Sequence, residues 1–395
     1  MRGRVKRSGF LKSVPNRGMT IRYCMEPFSI LQYDMDKAIK MLQEGTCLRF
    51  VYSIDCQTAP NDVVRIARNR TSFYSRYPDK YNMIPPKITI EQSIAKRSGC
   101  IARKILQYLG LILTELRPDR DMYLKIEYPN ISEDFKAEYI PYKGDEVDIE
   151  GIPFDFGSLL SRGMYYGSLN AKQALSSRSY RNYIFMLGQS VKLSHYDYKL
   201  INSRFCDTKC TETSSTCMNG GFPDPARYCR VCRCPTGYEG TNCEKVKTSS
   251  PQCGVTQFQA TSEYQFILYK LQSGAASCYY EISVHPLKRI YLRVVHAVAG
   301  TTLPCSETVA LQIKYQVDKG VTGLCLCGLT PDFRLISESE KVLIIWMSPG
   351  SPNRFLIRYK QVGAYDKIED IQDNYHVDDT NDFKGNVAES EEDDI

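Results

Sequence analysis

Metal and nucleophile chemistry needs particular residue types within reach of one another, and this sequence distributes them unevenly. Of its four histidines only His195 lies within the first 206 residues, so a centre of three imidazole nitrogens cannot be assembled there. His195 reads as a structural or surface histidine. Sixteen cysteines, ten of them strictly between Cys206 and Cys327, imply metal sites or disulfides in an oxidising compartment. From Cys210 to Cys243 they follow C-x6-C-x11-C-x2-C-x-C-x8-C. Cys229-x2-Cys232 has zinc-pair spacing, but no second such pair or histidine pair lies nearby. Cross-links are what so small a unit needs, since it cannot bury an adequate core. Arg103 and Lys104 are adjacent cations in an apolar segment, either an anion site or tolerated charges at a silent one. Asn69 and Asn130 open Asn-x-Ser/Thr sequons, which fit glycosylation of a secreted chain.

Positioning these residues requires elements that the apolar pattern supplies. Between Tyr33 and Cys47, the residues Met35, Ala38, Ile39, Met41 and Leu42 recur at helical spacing. A second helix is predicted from Ile101 to about Leu116, with Ile105, Leu109, Ile112, Leu113 and Leu116 as its apolar stripe and Pro118 as its stop. Leu48 to Ile54 and Lys87 to Ile90 have strand character. From Cys253 to about Val362 the alternating runs 289–298, 309–315, 342–347 and 353–359 predict a β-sandwich.

Charge divides the chain. Lysine and arginine total 51 against 45 acids, yet residues 365–395 carry twelve acids and two lysines, leaving +16 on residues 1–364. The acidic end, from 363 onward, is expected to be disordered. The basic body lacks the dense blocks of a nucleic-acid arm. Its longest mostly apolar stretch, Ile105 to Leu113, is about half of a membrane helix, so no membrane span is predicted. No signal peptide is visible after Met1, and Arg4-Val5-Lys6-Arg7 has the form of a dibasic processing site. Residues 1–7 are therefore either a propeptide remnant or a solvated basic end.

Several local motifs resemble the astacin metalloprotease family, spread over residues 8–206. They are Thr46-Cys47-Leu48-Arg49-Phe50, Gly99-Cys100, Arg117-Pro118-Asp119-Arg120-Asp121, Asp155-Phe156-Gly157-Ser158, and Leu193-Ser194 with Asp197, Ile201, Asn202 and Cys206. The cysteine-rich segment with Asn219-Gly220-Gly221 and Thr236-Gly237-Tyr238-Glu239-Gly240 resembles an EGF-like module. Cys253-Gly254, Cys278-Tyr279-Tyr280, Cys305, Leu324-Cys325-Leu326-Cys327-Gly328 and Phe355-Leu356-Ile357-Arg358-Tyr359 resemble a CUB domain. The resemblance implies an α+β architecture: a two-lobed astacin-like metzincin domain over 8–206, an EGF-like module over 207–246 and a CUB sandwich over 253–362. It also implies disulfides Cys47–Cys206, Cys210–Cys229, Cys217–Cys232, Cys234–Cys243, Cys253–Cys278, and Cys305 with Cys325 or Cys327. The family partner of Cys100 is replaced by Phe73, while Cys24 and Cys56 are extra. Cys56 with Cys100 is the pairing expected, leaving Cys24 and one of Cys325 and Cys327 free or paired elsewhere.

Counting back from Pro118, the resemblance places the family's zinc motif on residues 103–114. The three zinc histidines become Arg103, Gln107 and Leu113, the general-base glutamate becomes Lys104, and the glutamate after the third histidine becomes Thr114; Gly110 keeps the motif glycine. The methionine turn has two registers. Directly after Ser158 its methionine becomes Leu160 and its tyrosine Arg162; after a short insertion, the reading favoured, Met164 and Tyr166 retain both. No catalytic residue and no metal ligand are predicted, and no cofactor, although active family members carry zinc. The expected function is that of a secreted, catalytically inactive relative that binds extracellular proteins or matrix, with no nucleic acid as partner. The alternatives are an active zinc endopeptidase with atypical ligands and a purely structural or adhesive protein.

Overall fold

The computed structural model describes residues 10–12, 18–69, 86–149, 151–206, 210, 216–270, 275–348 and 354–373. The N-terminal basic stub, Phe73, the Asn69 side chain and the acidic run from 374 onward lie outside the described residues. After a short strand at Phe10–Leu11 that pairs antiparallel with Val147–Asp148, the first domain runs through strand β1 (Thr20–Met25), helix α1 (Gln32–Gln43), and strands β2 (Arg49–Tyr52), β3 (Val64–Asn69) and β4 (Lys87–Glu91). The strands form one parallel sheet in the order β2-β1-β3-β4, with Thr20 opposite Arg49, Tyr23 opposite Val64 and Arg65 opposite Lys87. Parallel strands need both faces covered or their crossovers filled. Met35, Ala38, Ile39 and Leu42 of α1, spaced at three and four, are buried for that purpose.

Helix α2 (Ser98–Tyr108) packs beside α1 and ends eight residues before the predicted limit. Gly110, at φ +94°, reverses the chain in a conformation that costs glycine least. The Leu111 N–H then donates to the Leu106 carbonyl at 3.0 Å and the Gly110 N–H to that of Gln107 at 2.9 Å, the paired bonds of a Schellman terminus. Pro118 therefore stops nothing. Ile112, Leu113 and Leu116 remain buried, but in an extended return and a single turn at Thr114–Leu116. Periodicity reported their burial and could not report the reversal.

Below α2 the chain forms a second lobe of turns and short helices with one small antiparallel pair, β5 (Leu124–Ile126) with β6 (Leu175–Ser177). It closes with helix α3 (His195–Phe205), whose capping box pairs Ser194 with Asp197. The cysteine-rich module has two pairings of two residues each, Phe222–Pro223 with Cys232–Arg233 and Tyr238–Glu239 with Lys245–Val246. The sandwich comprises β7 (Gln257–Gln259), β8 (Gln265–Lys270), β9 (Ala276–Ser283), β10 (Lys288–Val298), β11 (Leu311–Lys314), β12 (Leu324–Leu326), β13 (Leu329–Thr330), β14 (Phe333–Ile336), β15 (Lys341–Ser348) and β16 (Arg354–Gly363). Its sheets run β7-β9-β15-β11-β12 and β8-β16-β10-β13, with β14 on β10. Trp346, Phe355 and Tyr269 fill the space between them, with ring centroids 5.0–5.8 Å apart.

The structure pairs Cys47 with Cys206, Cys210 with Cys229, Cys217 with Cys232, Cys234 with Cys243, Cys253 with Cys278 and Cys305 with Cys327. The expected Cys56–Cys100 pairing is wrong. Cys56 bonds to Cys24 at the end of β1, with their Cα atoms 5.4 Å apart, while Cys100 on α2 and Cys325 on β12 are free and buried. The expected disorder from residue 363 also fails as far as 373. Arg293 and Arg358 are both buried in the sandwich; the Asp373 carboxylate meets them at 3.1 and 2.7 Å, sharing Arg293 with Asp332 at 2.5 Å.

The modules are welded together. Tyr183, Ile184 and Met186 of the lower lobe share one continuous core with Leu311, Leu324 and Cys325 of the sandwich. Tyr183 Oη donates to Tyr315 Oη at 3.0 Å, and the Cys305 N–H donates to the Phe185 carbonyl at 2.8 Å. At Gly157 the approach is so close that a Cβ would lie 2.5 Å from the Thr322 side chain. The cysteine-rich module seats Tyr238 against Leu343 and Ile345. Truncating Leu324 to alanine inside this shared core is expected to cost about 2–5 kcal/mol. In a urea titration the helical circular dichroism of the first domain and the fluorescence of the lone Trp346 should shift together; separated midpoints would show that the modules unfold independently.

Candidate functional site

Helix α2 floors a cleft between β4 and the lower lobe. Arg103 and Gln107, four residues apart, share one face of α2, and after the Gly110 reversal Leu113 lies buried beneath it. Arg103 is consumed by carbonyls: Nε donates to Leu159 O at 2.5 Å and Nη2 to Gln189 O at 2.8 Å. Lys104 Nζ meets Glu91 Oε1 at 2.6 Å, with the two side chains 13 % and 9 % exposed. Burial pushes the Lys104 ammonium down to about 8, against the opposing pull of Glu91. The two cations are thus held apart by separate partners and form no joint anion site.

Deeper in the floor, Glu115 is fully buried and meets Arg162 Nε at 2.5 Å. Arg162 also approaches Glu138 Oε2 at 3.4 Å, donates to the Glu138 carbonyl at 2.8 Å and lies 4.2 Å from the Tyr166 ring centre. Arg120 donates to the carbonyls of Glu115 and Tyr139. Arg162 is held in place by the segment before it. Asp197 accepts from Ser158 Oγ at 2.5 Å and from the backbone of Leu159 and Ser194 at 2.7 and 2.8 Å. Burial raises the Asp197 carboxyl to about 6. Leu160 packs in the upper core with Leu106, Leu109 and Leu113, and its carbonyl accepts from the Thr114 N–H at 2.8 Å. Met164 packs with the other core. The packing therefore supports the direct register of the methionine turn, with Leu160 and Arg162, over the inserted one.

These residues do not fit a zinc ion. Zinc at such a site takes imidazole nitrogen, thiolate or carboxylate donors at about 2.0–2.2 Å. Positions 103, 107 and 113 offer a guanidinium already spent on carbonyls, one amide and a hydrocarbon. Among the described residues no group of three or more histidine, cysteine, aspartate or glutamate side chains is placed to hold a metal. His195 is far from this chemistry. Its Nε2 lies 2.8 Å from Gly220 O and its ring 4.9 Å from that of Phe222, in the cysteine-rich module. Burial pushes it down to about 3, so it is a neutral joint between modules. Asn130 Nδ2 donates to Gln173 O at 2.8 Å. Glu91 and Glu138 were not flagged by sequence reasoning. The signal available was the pair of cations at 104 and 162 in segments of apolar character, which demanded carboxylates from elsewhere.

What remains of the cleft is a cavity of about 480 Å³, lined among others by Glu91, Cys100, Lys104, Tyr166 and Phe185, and walled by Leu303 and Pro304 from the sandwich. A parallel sheet over a floor helix that ends at a glycine, with a turn-rich lobe beneath, is the plan of a metzincin peptidase domain, here without its ligands. Residues 17–206 match the astacin family of peptidases, and this domain belongs to it. The chain is 26 % identical over 333 residues to zinc metalloproteinase nas-26 of Caenorhabditis elegans, covering 82 % of this chain and 77 % of that one. It is 28 % identical over 320 residues to zinc metalloproteinase nas-34 of the same organism, covering 80 % and 51 %, so it spans about half the length of that relative. Among solved structures, the hatching-enzyme zinc protease high choriolytic enzyme 1 of Oryzias latipes (Medaka fish) aligns with 51 % of this chain and 96 % of its own, at 21 % identity and a TM-score of 0.40.

Replacing Arg162 by methionine strands Glu115 in the interior and should cost about 3–5 kcal/mol; adding Glu115→Gln in the same chain should recover part of that loss in a urea titration. A second expectation concerns pH. Because the folded Asp197 carboxyl sits near 6, above its ordinary unfolded value, its contribution is greatest below the unfolded value and is lost as pH rises through about 6. The stability difference between wild type and Asp197→Asn should therefore change between about pH 4 and 6 and level off above; a flat difference would contradict the raised value.

Proposed function

We propose that this chain is a secreted, catalytically inactive astacin relative that acts by binding extracellular proteins or matrix. One observation carries the reading: the positions that would hold and activate metal-bound water are wired into the fold by other chemistry. Lys104, at the family's general-base position, is a cation closed onto Glu91 and cannot serve as a carboxylate base. Arg162 closes onto Glu115 and Glu138. Without the metal there is no Lewis acid and no activated water. A fold can persist when its chemistry has gone.

The oxidising, extracellular setting is supported by seven disulfides, and no helix among the described residues is long and apolar enough to cross a membrane. Glycans at Asn69 and Asn130 belong to the same proposal. Deleting residues 8–206 to isolate the binding modules would not be a clean experiment, because Tyr183 and Met186 complete the sandwich core. The decisive measurement is elemental analysis of the full purified chain with a casein-cleavage assay. Substoichiometric zinc and no chelator-sensitive cleavage are expected; stoichiometric zinc with chelator-sensitive cleavage overturns the proposal.

A further inference from the structure

The cavity above α2 holds a lysine that binding alone does not use. Lys104 reaches it from the helix floor, and Glu91, the last residue of β4, sets Oε1 2.6 Å from Nζ. The second oxygen of that carboxylate, Oε2, is buried with no hydrogen-bond partner. Phe185 and Leu187 of the lower lobe and Leu303 and Pro304 of the sandwich make the opposite walls largely apolar. Its volume of about 480 Å³ suits a small molecule with an apolar body. Lysine acts as a nucleophile toward carbonyl carbon when desolvation or a neighbouring cation disfavours its charged form; here burial and Arg162 do so, and the Glu91 carboxylate opposes them while standing within reach to accept the proton.

We propose that Lys104 captures small aldehydes with an apolar body as a Schiff base in this cavity, with Glu91 as the proton carrier. Glu91 takes a proton from the ammonium, and the neutral amine attacks the aldehyde carbon, forming the N–C bond as the carbonyl π pair moves to oxygen, which takes a proton from the nitrogen. Glu91 then protonates the carbinolamine hydroxyl, which leaves as water as the nitrogen lone pair forms the C=N bond. One ammonium and one aldehyde give one protonated imine and one water, with Glu91 returned to its carboxylate and no oxidant or reductant. The charged groups acting on Lys104 include Glu91, Arg162 and Glu138, and Arg97 and Arg103 line the same cavity; burial and Arg162 favour the neutral amine, and the two glutamates oppose them. The balance near 8 leaves a reactive fraction of free amine at neutral pH. This activity goes beyond the binding role and reads out separately from zinc content.

The test uses the full chain, 3-phenylpropanal as probe and cyanoborohydride to fix the adduct, with peptide mass mapping over time. At neutral pH, Lys104 should be modified about tenfold or more faster than the exposed Lys245 and Lys288, with a rate that climbs through about pH 8. Glu91→Gln should slow the Lys104 adduct by about tenfold, a typical loss for a proton carrier. Modification of Lys104 no faster than at Lys245 and Lys288 in the wild-type chain overturns the proposal, and this readout needs no variant to fold. Because Glu91→Gln also raises the fraction of neutral amine, an unchanged or faster rate in the folded variant overturns the role of Glu91 as proton carrier.

Discussion

A charge taken out of water must meet an opposite charge or lose its own. In this protein that constraint is concentrated under one helix, where Arg162 lies against Glu115 and Glu138 and Lys104 against Glu91. Removing one partner from such a pair leaves an uncompensated ion in a medium that solvates it poorly, and the penalty exceeds what the pair contributed. Within each group the side chains therefore hold one another in place, Lys104 with Glu91 and Arg162 with Glu115 and Glu138. They come from β4, α2, the turn after it, the lower lobe and the methionine-turn segment, so the pairing also ties together both sides of the cleft.

The second organising feature is the loss of separation between modules. A linker between independent domains exposes polar surface and carries few contacts. Here the lower lobe buries Tyr183 and Met186 in the same core as the sandwich, and His195 and Tyr198 of α3 receive Gly220 and Arg233 of the cysteine-rich module. One effect reaches the site. The Leu303–Pro304 turn of the sandwich walls the cleft, so the space above α2 is bounded by residues roughly two hundred positions apart in the chain. The cleft is thus narrowed to a cavity by a neighbour that a free peptidase domain would not have.

Much of this was legible in advance because it depends on residue type and short spacing. One histidine in 206 residues bounds what metal chemistry is possible before any fold is known. The apolar positions of α1, the buried residues from Ile101 to Leu116 and the strand runs of the sandwich follow from periodicity. The reversal at Gly110 was missed because its neighbours are buried on both sides of the turn, and burial alone continues the helical pattern. The Cys24–Cys56 bridge was missed because sequence order says nothing about which thiols lie within about 6 Å of one another. Asp373 was assigned to a disordered tail on composition, and its two buried arginine partners are 80 and 15 residues away.

By itself, then, the sequence determined which donors exist: it supplies no imidazole set and places cations where ligands and a base would stand. Tertiary structure alone decided what those cations do, because an ion pair is a matter of distance, and Glu91, Glu115 and Glu138 come within reach of Lys104 and Arg162 only when sheet, helix and lower lobe are packed. The same packing decided that Lys104 faces a cleft walled by Phe185, Leu187, Leu303 and Pro304 and shared with Arg103 and Arg162. Residue type sets the chemistry that is available, and the dielectric around it, which only the fold creates, sets the chemistry that is expressed.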